Sequence, residues 1–349
     1  MKLESLCPVE ILNTPQMNCD NNMKISVALC TYNGSHYLQE QLESIAQQTR
    51  LPDELVICDD QSTDNTIEIV KKFATKAHFP VRLIINEKNL GSTKNFEQAI
   101  GLCKGDIIAL SDQDDVWNPK KLLIMEGIFL TKTNVGAVFT DAELVDKYLN
   151  PLGYTLWESI EFTKKEQKRF NNGGSVEVLL KHNVVTGATM AFRSEYRDFV
   201  LPISSSWIHD GWIALLIAFK ADLVIVPEQL IKYRQHSAQQ IGAGSKRDLL
   251  ITIKERASKL IFGLKIDPNE YLNCFIQYRE ISAYTNRKLS SINNEKKSYL
   301  KSKVEHCYKR VEMPQKRIQR FPIVMNQLIK GNYHRYSYGI YSFVEDLLR

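Results

Sequence analysis

The stretch IIALSDQDDVW, residues 107–117, sets a run of apolar residues directly against three carboxylates, Asp112, Asp114 and Asp115. The apolar run reads as a buried strand, and the acids stand where that strand leaves its sheet. Like charges so close repel unless something positive joins them. A divalent cation is the economical answer. Carboxylate oxygens favour Mg2+ or Mn2+, and Mg2+ is commonly held by one or two carboxylates plus phosphate oxygens and water. The implied ligand is therefore a metal-bound phosphorylated substrate. Capping of the following helix by Asp115 or Asn118, ahead of Pro119, accounts for one acid and not for three.

Working outward from this strand, the chain from Lys24 onward alternates short β-branched runs with helical patterns. ISVAL, ELVIC, VRLII and DIIAL are each followed by a helical stretch, at residues 37–48, 65–76, 93–103 and 120–132. Four βα units in succession predict a mostly parallel sheet with helices on both faces, a fold in which ligands gather at the carboxyl ends of the strands. The polar clusters fall there: CTYNGS, DDQSTDN, NEKNLGS and SDQDD. VGAVFTDAELVD reads as a further strand, and residues 150–172 as a long polar loop. HNVVTGATMAFRSE reads as a turn and strand, SWIHDGWIALLIAF as a loop entering an apolar helix, and LVIVPEQLIKYRQHS as strand, turn and strand.

Beyond Ser245 the spacing is helical to the end, with breaks near Pro268, Pro314, Pro322 and Gly331. The predicted organisation is a loose extension over 1–22, an α/β domain over 23–244 and a basic helical region over 245–349. The last of these holds 21 Lys+Arg against 10 Asp+Glu, while the formal net charge of the whole chain is only +5. A basic tail suits anionic lipid headgroups or nucleic acid, and ordinary solvated helices equally. No run of ~18 apolar residues marks a membrane span, and no basic start followed by an apolar core marks a signal peptide. The seven cysteines are odd in number and include no close pair, which suggests neither a zinc site nor a disulfide framework and fits a reducing cytoplasm.

The chain has no GxxxxGK[ST] loop and no GxGxxG after its first strand, so ordinary ATPase and dinucleotide readings lose their support. A nucleotidyltransferase wants a glycine-rich basic loop after the first strand, and CTYNGSHY is not one. A nucleic-acid-binding protein that used the basic tail would leave the acid cluster without a purpose.

The order VALCTYNGSHYLQEQLESIAQQT, ELVICDDQSTDNT, NLGSTKNFEQAI, GDIIALSDQDDVWNPKKL, NVVTGATMAF, HDGWIALL and YRQHSAQQIG resembles the inverting family 2 glycosyltransferases of GT-A fold, over roughly residues 24–244. SDQDDVW, HDGW and YRQH look most like bacterial rhamnosyltransferase-type members that build O-antigen or capsule. The resemblance implies a GT-A sheet with a helical C-terminal extension. It also implies metal-dependent transfer of a sugar from a nucleoside-diphosphate donor, dTDP-rhamnose first and a UDP-sugar next, to a lipid-linked or polysaccharide hydroxyl. The basic tail is expected either to rest on the cytoplasmic face of the inner membrane, bringing the site toward a lipid-linked glycan, or to form a helical bundle that completes the fold or an oligomer contact. No nucleic-acid partner is expected.

Residue by residue, the resemblance implies that Cys30, Thr31, Tyr32 and Asn33 pack against base and ribose. Asp60 would accept the N3–H of a pyrimidine, while Asp59 supports the loop, and Thr63 and Asp64 cap the next helix. Asn89, Gly91 and Lys94 lie near base and diphosphate, with Lys94 as readily facing solvent. Asp112 contacts the ribose and Asp114 holds the metal. Gly187 is a turn near donor sugar or acceptor. Asp210 is the general base, preceded by His209. Trp207 and Trp212 are a stacking platform for sugar or core residues. Arg234 and His236 stand in place of a QxxRW-type element, with Arg234 facing the sugars and His236 approaching metal or diphosphate.

Overall fold

The computed structural model describes residues 22–236, 268–289 and 293–348. The expected extension over 1–22 and the boundary at 244/245 therefore fall almost entirely outside the described residues. Among the described residues the sheet has nine strands: β1 (Ile25–Thr31), β2 (Glu54–Asp59), β3 (Val81–Ile85), β4 (Ile107–Ser111), β5 (Val116–Trp117), β6 (Val135–Val145), β7 (Pro151–Thr155), β8 (Met190–Arg193) and β9 (Asp222–Arg234). Their order is β3-β2-β1-β4-β8-β6-β9-β5, with β7 pairing β6.

Strands β1 to β4 are parallel and joined through α1 (Leu38–Ala46), α2 (Thr66–Ala74) and α3 (Ser92–Leu102), as the four βα units predict. Every residue of β1, β2 and β4 is buried, the sign of strands covered on both faces. β8 then enters antiparallel between β4 and β6, and this mixed sheet with a helical C-terminal region is a GT-A-like fold. One core cluster lies on each face of the sheet.

Two expectations fail here. The polar stretch 150–172 is not a loop but β7, α5 (Leu156–Ser159), α6 (Lys164–Arg169) and the start of a π-turn that leads into α7 (Ser175–Lys181). Its signal was the pair of sequences TLWE and TKKE. Thr155 and Thr163 each accept from the backbone three residues on, while Glu158 and Glu166 answer at the cap, two complete capping boxes. LVIVPEQLIKYR is likewise one strand, β9, because the register with β6 slips around Pro227 instead of breaking into a hairpin.

After α4 (Lys121–Thr131), α8 (Arg197–Val200) and α9 (His209–Lys220), the C-terminal region comprises α10 (Pro268–Lys288), α11 (Asn294–Val311), α12 (Arg317–Ile329), α13 (Asn332–Tyr336) and α14 (Ile340–Leu348). α10 is joined to the sheet-bearing part of the chain through the segment that precedes α9. Trp207 Nε1 donates to Gln277 O at 3.1 Å, Tyr284 Oη to Phe199 O at 2.7 Å, and Ser204 Oγ to Glu280 Oε2 at 2.6 Å. Distant in sequence, Cys274 and Cys307 nevertheless bring their sulfurs to 3.1 Å, as free thiols. No helix among the described residues is long and apolar enough to cross a membrane.

Candidate active site

The carboxyl ends of β1, β2 and β4 open into a cavity of about 290 Å³, closed on the far side by the start of α9. Cys30, Thr31, Tyr32, Asp60, Asp112, Asp114, Gly187, His209 and Asp210 all line it. The acids after β4 and the aspartate that opens α9, nearly a hundred residues apart, thus share one enclosure.

Asp112 is held well above the usual carboxylate range, at about 7, first by burial and then by Asp114 and Asp210. Asp115 is also pushed up by burial and by both neighbours, but it faces inward. Its Oδ1 accepts from Arg234 N at 3.1 Å, and Oδ2 has no partner among the described residues. It caps nothing; instead Asn118 Oδ1 accepts from Lys120 N just ahead of α4. Beneath the acids lies a buried lysine the sequence did not advertise. Lys121 donates to Ala188 O at 2.7 Å with its ammonium 3.4 Å from the Trp117 ring centre, and burial pulls it well below the ordinary lysine range.

Asp114 is the acid that turns toward a partner suited to metal: its Oδ2 lies 2.8 Å from His236 Nε2. Among the described residues no three His, Cys, Asp or Glu side chains gather as a metal cluster. One carboxylate and one imidazole could serve as two ligands of Mn2+ or Mg2+, with phosphate oxygens and water needed to complete the shell.

Asp210 is oriented from two sides. Asn183 Nδ2 donates to Oδ1 at 3.0 Å and Gly187 N to Oδ2 at 3.1 Å. His209 stacks on Phe96 with ring centres 4.0 Å apart, and neither of its nitrogens has a hydrogen-bond partner among the described residues. Burial pushes this imidazole toward its neutral form. A β-carbon at Gly187 would stand 2.5 Å from His209 Nε2, so the glycine is what lets that backbone reach Asp210.

On the opposite wall, Asp60 is largely committed to its own protein. Oδ1 accepts from Leu90 N at 2.7 Å and Asn86 Nδ2 at 2.8 Å, and Oδ2 from Gly91 N at 2.8 Å, where Gly91 has φ +78°. Asp59 supports the loop, accepting from Thr31 Oγ1, Ser62 Oγ and Ser62 N. Asp64 does accept from Thr66 N at the start of α2, and also ties Ser35 N.

Several expected contacts are corrected. Asn33 lies outside the cavity and joins two loops, its Oδ1 accepting from Thr63 N and its backbone N–H reaching Ser62 Oγ. Asn89 and Gly91 shape the loop around Asp60 instead of lining the cavity. Lys94 turns away to Glu97 and the carbonyl of Ile203, each at 2.7 Å. Trp207 and Trp212 are packing residues, not a sugar platform: Trp212 is 2% exposed and donates to Val200 O, while Trp207 packs on Tyr278.

Arg234, expected to face the sugars, does not line the cavity. Fully buried, it donates to Asp114 O at 2.8 Å, Lys147 O at 2.7 Å and Glu40, with its guanidinium 4.4 Å from the Tyr37 ring centre. It braces the acid loop from behind.

Three contributors escaped the sequence: Asn183, Phe96 and Gln113. Gln113, the middle residue of the Asp-Gln-Asp triplet, accepts from Tyr32 N at 2.8 Å and donates to Tyr32 O at 3.1 Å. All three sit inside stretches already quoted, NVVTGATMAF, NLGSTKNFEQAI and SDQDD, but nothing in those stretches gave them a role.

Residues 26–195 match the family model Glycosyl transferase family 2. The chain is 28% identical over 261 residues to an uncharacterized glycosyltransferase of Nostoc sp., covering 73% of this chain and 76% of that one. It is 30% identical over 122 residues to the Escherichia coli UDP-Glc:alpha-D-GlcNAc-diphosphoundecaprenol beta-1,3-glucosyltransferase, covering 35% and 47%. The chain spans less than two thirds of the length of several other relatives. In structure it resembles S. aureus TarS in complex with UDP-GlcNAc, with TM-score 0.56 and 17% identity over 82% of this chain and 72% of that one. It also resembles a Pyrobaculum calidifontis mannosyltransferase in complex with GDP-Man and Mn2+, with TM-score 0.50 and 16% identity over 84% and 70%. The domain over residues 26–195 belongs to glycosyltransferase family 2, and the chain is a glycosyltransferase.

Proposed function

We propose that this glycosyltransferase moves a sugar, with inversion, from a nucleoside-diphosphate donor to a hydroxyl of a lipid-linked or polysaccharide glycan at the cytoplasmic face of the inner membrane. The observation that carries the proposal is the single cavity shared by Asp112, Asp114 and Asp210. The proposed carboxylate base and the proposed cation seat line one cavity of about 290 Å³.

In this reading Asp114 and His236 hold Mg2+ or Mn2+, which would stabilise the negative charge that gathers on the departing diphosphate. Asp210, aimed by Asn183 and by the Gly187 backbone, takes the proton of the acceptor hydroxyl as its oxygen attacks the anomeric carbon. Cys30, Thr31 and Tyr32 form the nucleotide wall, Asp112 meets the ribose, and the remaining lone pair of Asp60 Oδ2 reads the N3–H of a pyrimidine. His209 lines the same cavity beside Asp210, its ring stacked on Phe96 and both of its nitrogens buried.

For the donor, the likeness of SDQDDVW and HDGW to rhamnosyltransferase-type enzymes of O-antigen or capsule favours dTDP-rhamnose. A UDP-sugar is the second reading, favoured by the UDP donor named for the E. coli relative. That relative's diphosphoundecaprenol acceptor also supports the lipid-linked class.

The test is thermal unfolding with dTDP, UDP or GDP, each with and without Mn2+, on wild type and Asp114→Ala. Stabilisation by a pyrimidine diphosphate, present with Mn2+ and lost in the variant, is expected. Equal stabilisation of the variant overturns the assignment of Asp114.

A further inference from the structure

The helix α12 is built inside out. Its inward face carries Arg320, Val324 and Gln327, all nearly inaccessible, while Ile318 and Ile329 on the outside are 84% and 79% exposed. The buried polar groups are satisfied: Arg320 donates to Pro314 O at 2.9 Å and Gln315 O at 2.8 Å, and Gln327 Oε1 meets His306 Nδ1 at 3.0 Å. At 100° per residue, Ile318, Phe321, Pro322, Met325 and Ile329 fall within about a third of the helix circumference. The result is an apolar stripe the length of the helix, with a polar spine on the protein side. A helix resting against its own fold and water puts its apolar stripe inward.

The surroundings define what the stripe meets. Exposed Lys316 and Arg317 flank one end, and exposed Lys330 and Arg335 the other. The acids nearby on α14 are already taken, since Arg310 pairs with both Glu345 and Asp346. Ile340 and Tyr341, at the start of α14, which packs against α12, are 50% and 57% exposed, and Tyr338 just before them 51%. An apolar stripe rimmed by cations and by tyrosines matches the layered chemistry of an anionic bilayer: acyl chains within, phosphates at headgroup depth, aromatic rings between. A water-soluble protein partner would need an apolar groove ringed by acids to answer both, whereas an anionic bilayer offers both layers everywhere.

We infer that α12 lies in the surface of an anionic membrane, with Ile318, Phe321 and Ile329 inserted among the acyl chains and Lys316, Arg317, Lys330 and Arg335 on the headgroups. This deepens the lipid-linked acceptor reading by naming the face that meets the lipid, though the inverted helix carries it independently.

The experiment is flotation of the full chain with vesicles of phosphatidylethanolamine and phosphatidylglycerol, compared with phosphatidylcholine alone. Wild type is expected to float with the anionic vesicles and at least tenfold less with the neutral ones. The double variant Ile318→Glu, Ile329→Glu is expected to lose flotation while keeping its nucleotide-dependent thermal shift, because both side chains are solvent-facing. Unchanged flotation of the double variant overturns the inference. So does a chain that ignores vesicles but forms a dimer which the double variant dissociates, since the stripe then meets a second copy. Flotation by a protein that no nucleotide stabilises would sink the sugar-transfer reading and leave this one standing.

Discussion

Asn183 and Asp210 are joined by a 3.0 Å hydrogen bond from the side-chain amide to the carboxylate, with the Gly187 backbone donating to the other oxygen. The proposed base is thus aimed before any acceptor arrives. Replacing it by Asp210→Asn keeps the shape and removes the proton acceptor, so kcat is expected to fall about 10²–10⁴-fold with nucleotide affinity unchanged. Asn183→Ala leaves the carboxylate but frees its rotation. A smaller loss, confined to kcat, is expected from steady-state kinetics with donor held saturating. Equal effects on nucleotide binding would show that Asn183 acts on the fold instead.

Gly187→Ala places a methyl against His209 Nε2. The ring is stacked on Phe96 and has no hydrogen bond to release, so it must tilt into the cavity or push the Gly187 backbone off Asp210. Turnover is expected to drop at least tenfold, with the unfolding temperature lowered by a few degrees, measured on the same preparation.

Arg234→Lys tests the brace behind the acids. A lysine cannot reproduce a fork that reaches Asp114 O, Lys147 O and Glu40 at once, and it leaves buried acceptors unpaired. A loss of about 2–4 kcal/mol in denaturant unfolding is expected, together with weaker Mn2+-dependent nucleotide binding because the acid loop loosens.

His306 predicts a pH dependence. It is buried between Gln327 and Ser337, and burial, reinforced by Arg310, Lys303 and Lys309, holds it down at about 3. Once unfolded, the imidazole takes up a proton near 6.5. Between these values the unfolded chain binds the extra proton, so stability from this residue is complete above about pH 6.5 and drains away as pH falls toward 3. The slope is about 1.4 kcal/mol per pH unit. His306→Gln is expected to flatten the pH dependence of unfolding by one proton over that window.

Much of this architecture was legible because it rests on local pattern. The four βα units announce themselves through β-branched runs and polar strand ends, and the acid triplet through its improbable charge density. Asp210 was singled out only through the resemblance of HDGW to the family's motif, since an aspartate at the start of a helix is by itself an ordinary cap. What stayed hidden depends on partners far along the chain. Nothing near Arg234 says that it will be buried 120 residues from Asp114 and grip its carbonyl, and nothing around Lys94 reveals the carbonyl of Ile203. The tryptophans were ambiguous because an indole that stacks on sugar and one that fills a core look alike until α10 supplies Tyr278 and Tyr284. The misread stretch 150–172 is different: its two capping boxes were in plain view, outweighed by its polar composition.

The clasp of Gln113 on both backbone atoms of Tyr32 has a thermodynamic corollary. Two loops 81 residues apart in sequence are stitched together by the folded chain alone, so one wall of the cavity is rigid before a guest enters. Its ordering entropy is spent during folding, not on recognition, and a Gln113→Ala chain would have to spend it on each encounter. Calorimetry of nucleotide binding would register that as a more unfavourable entropy at little change in heat.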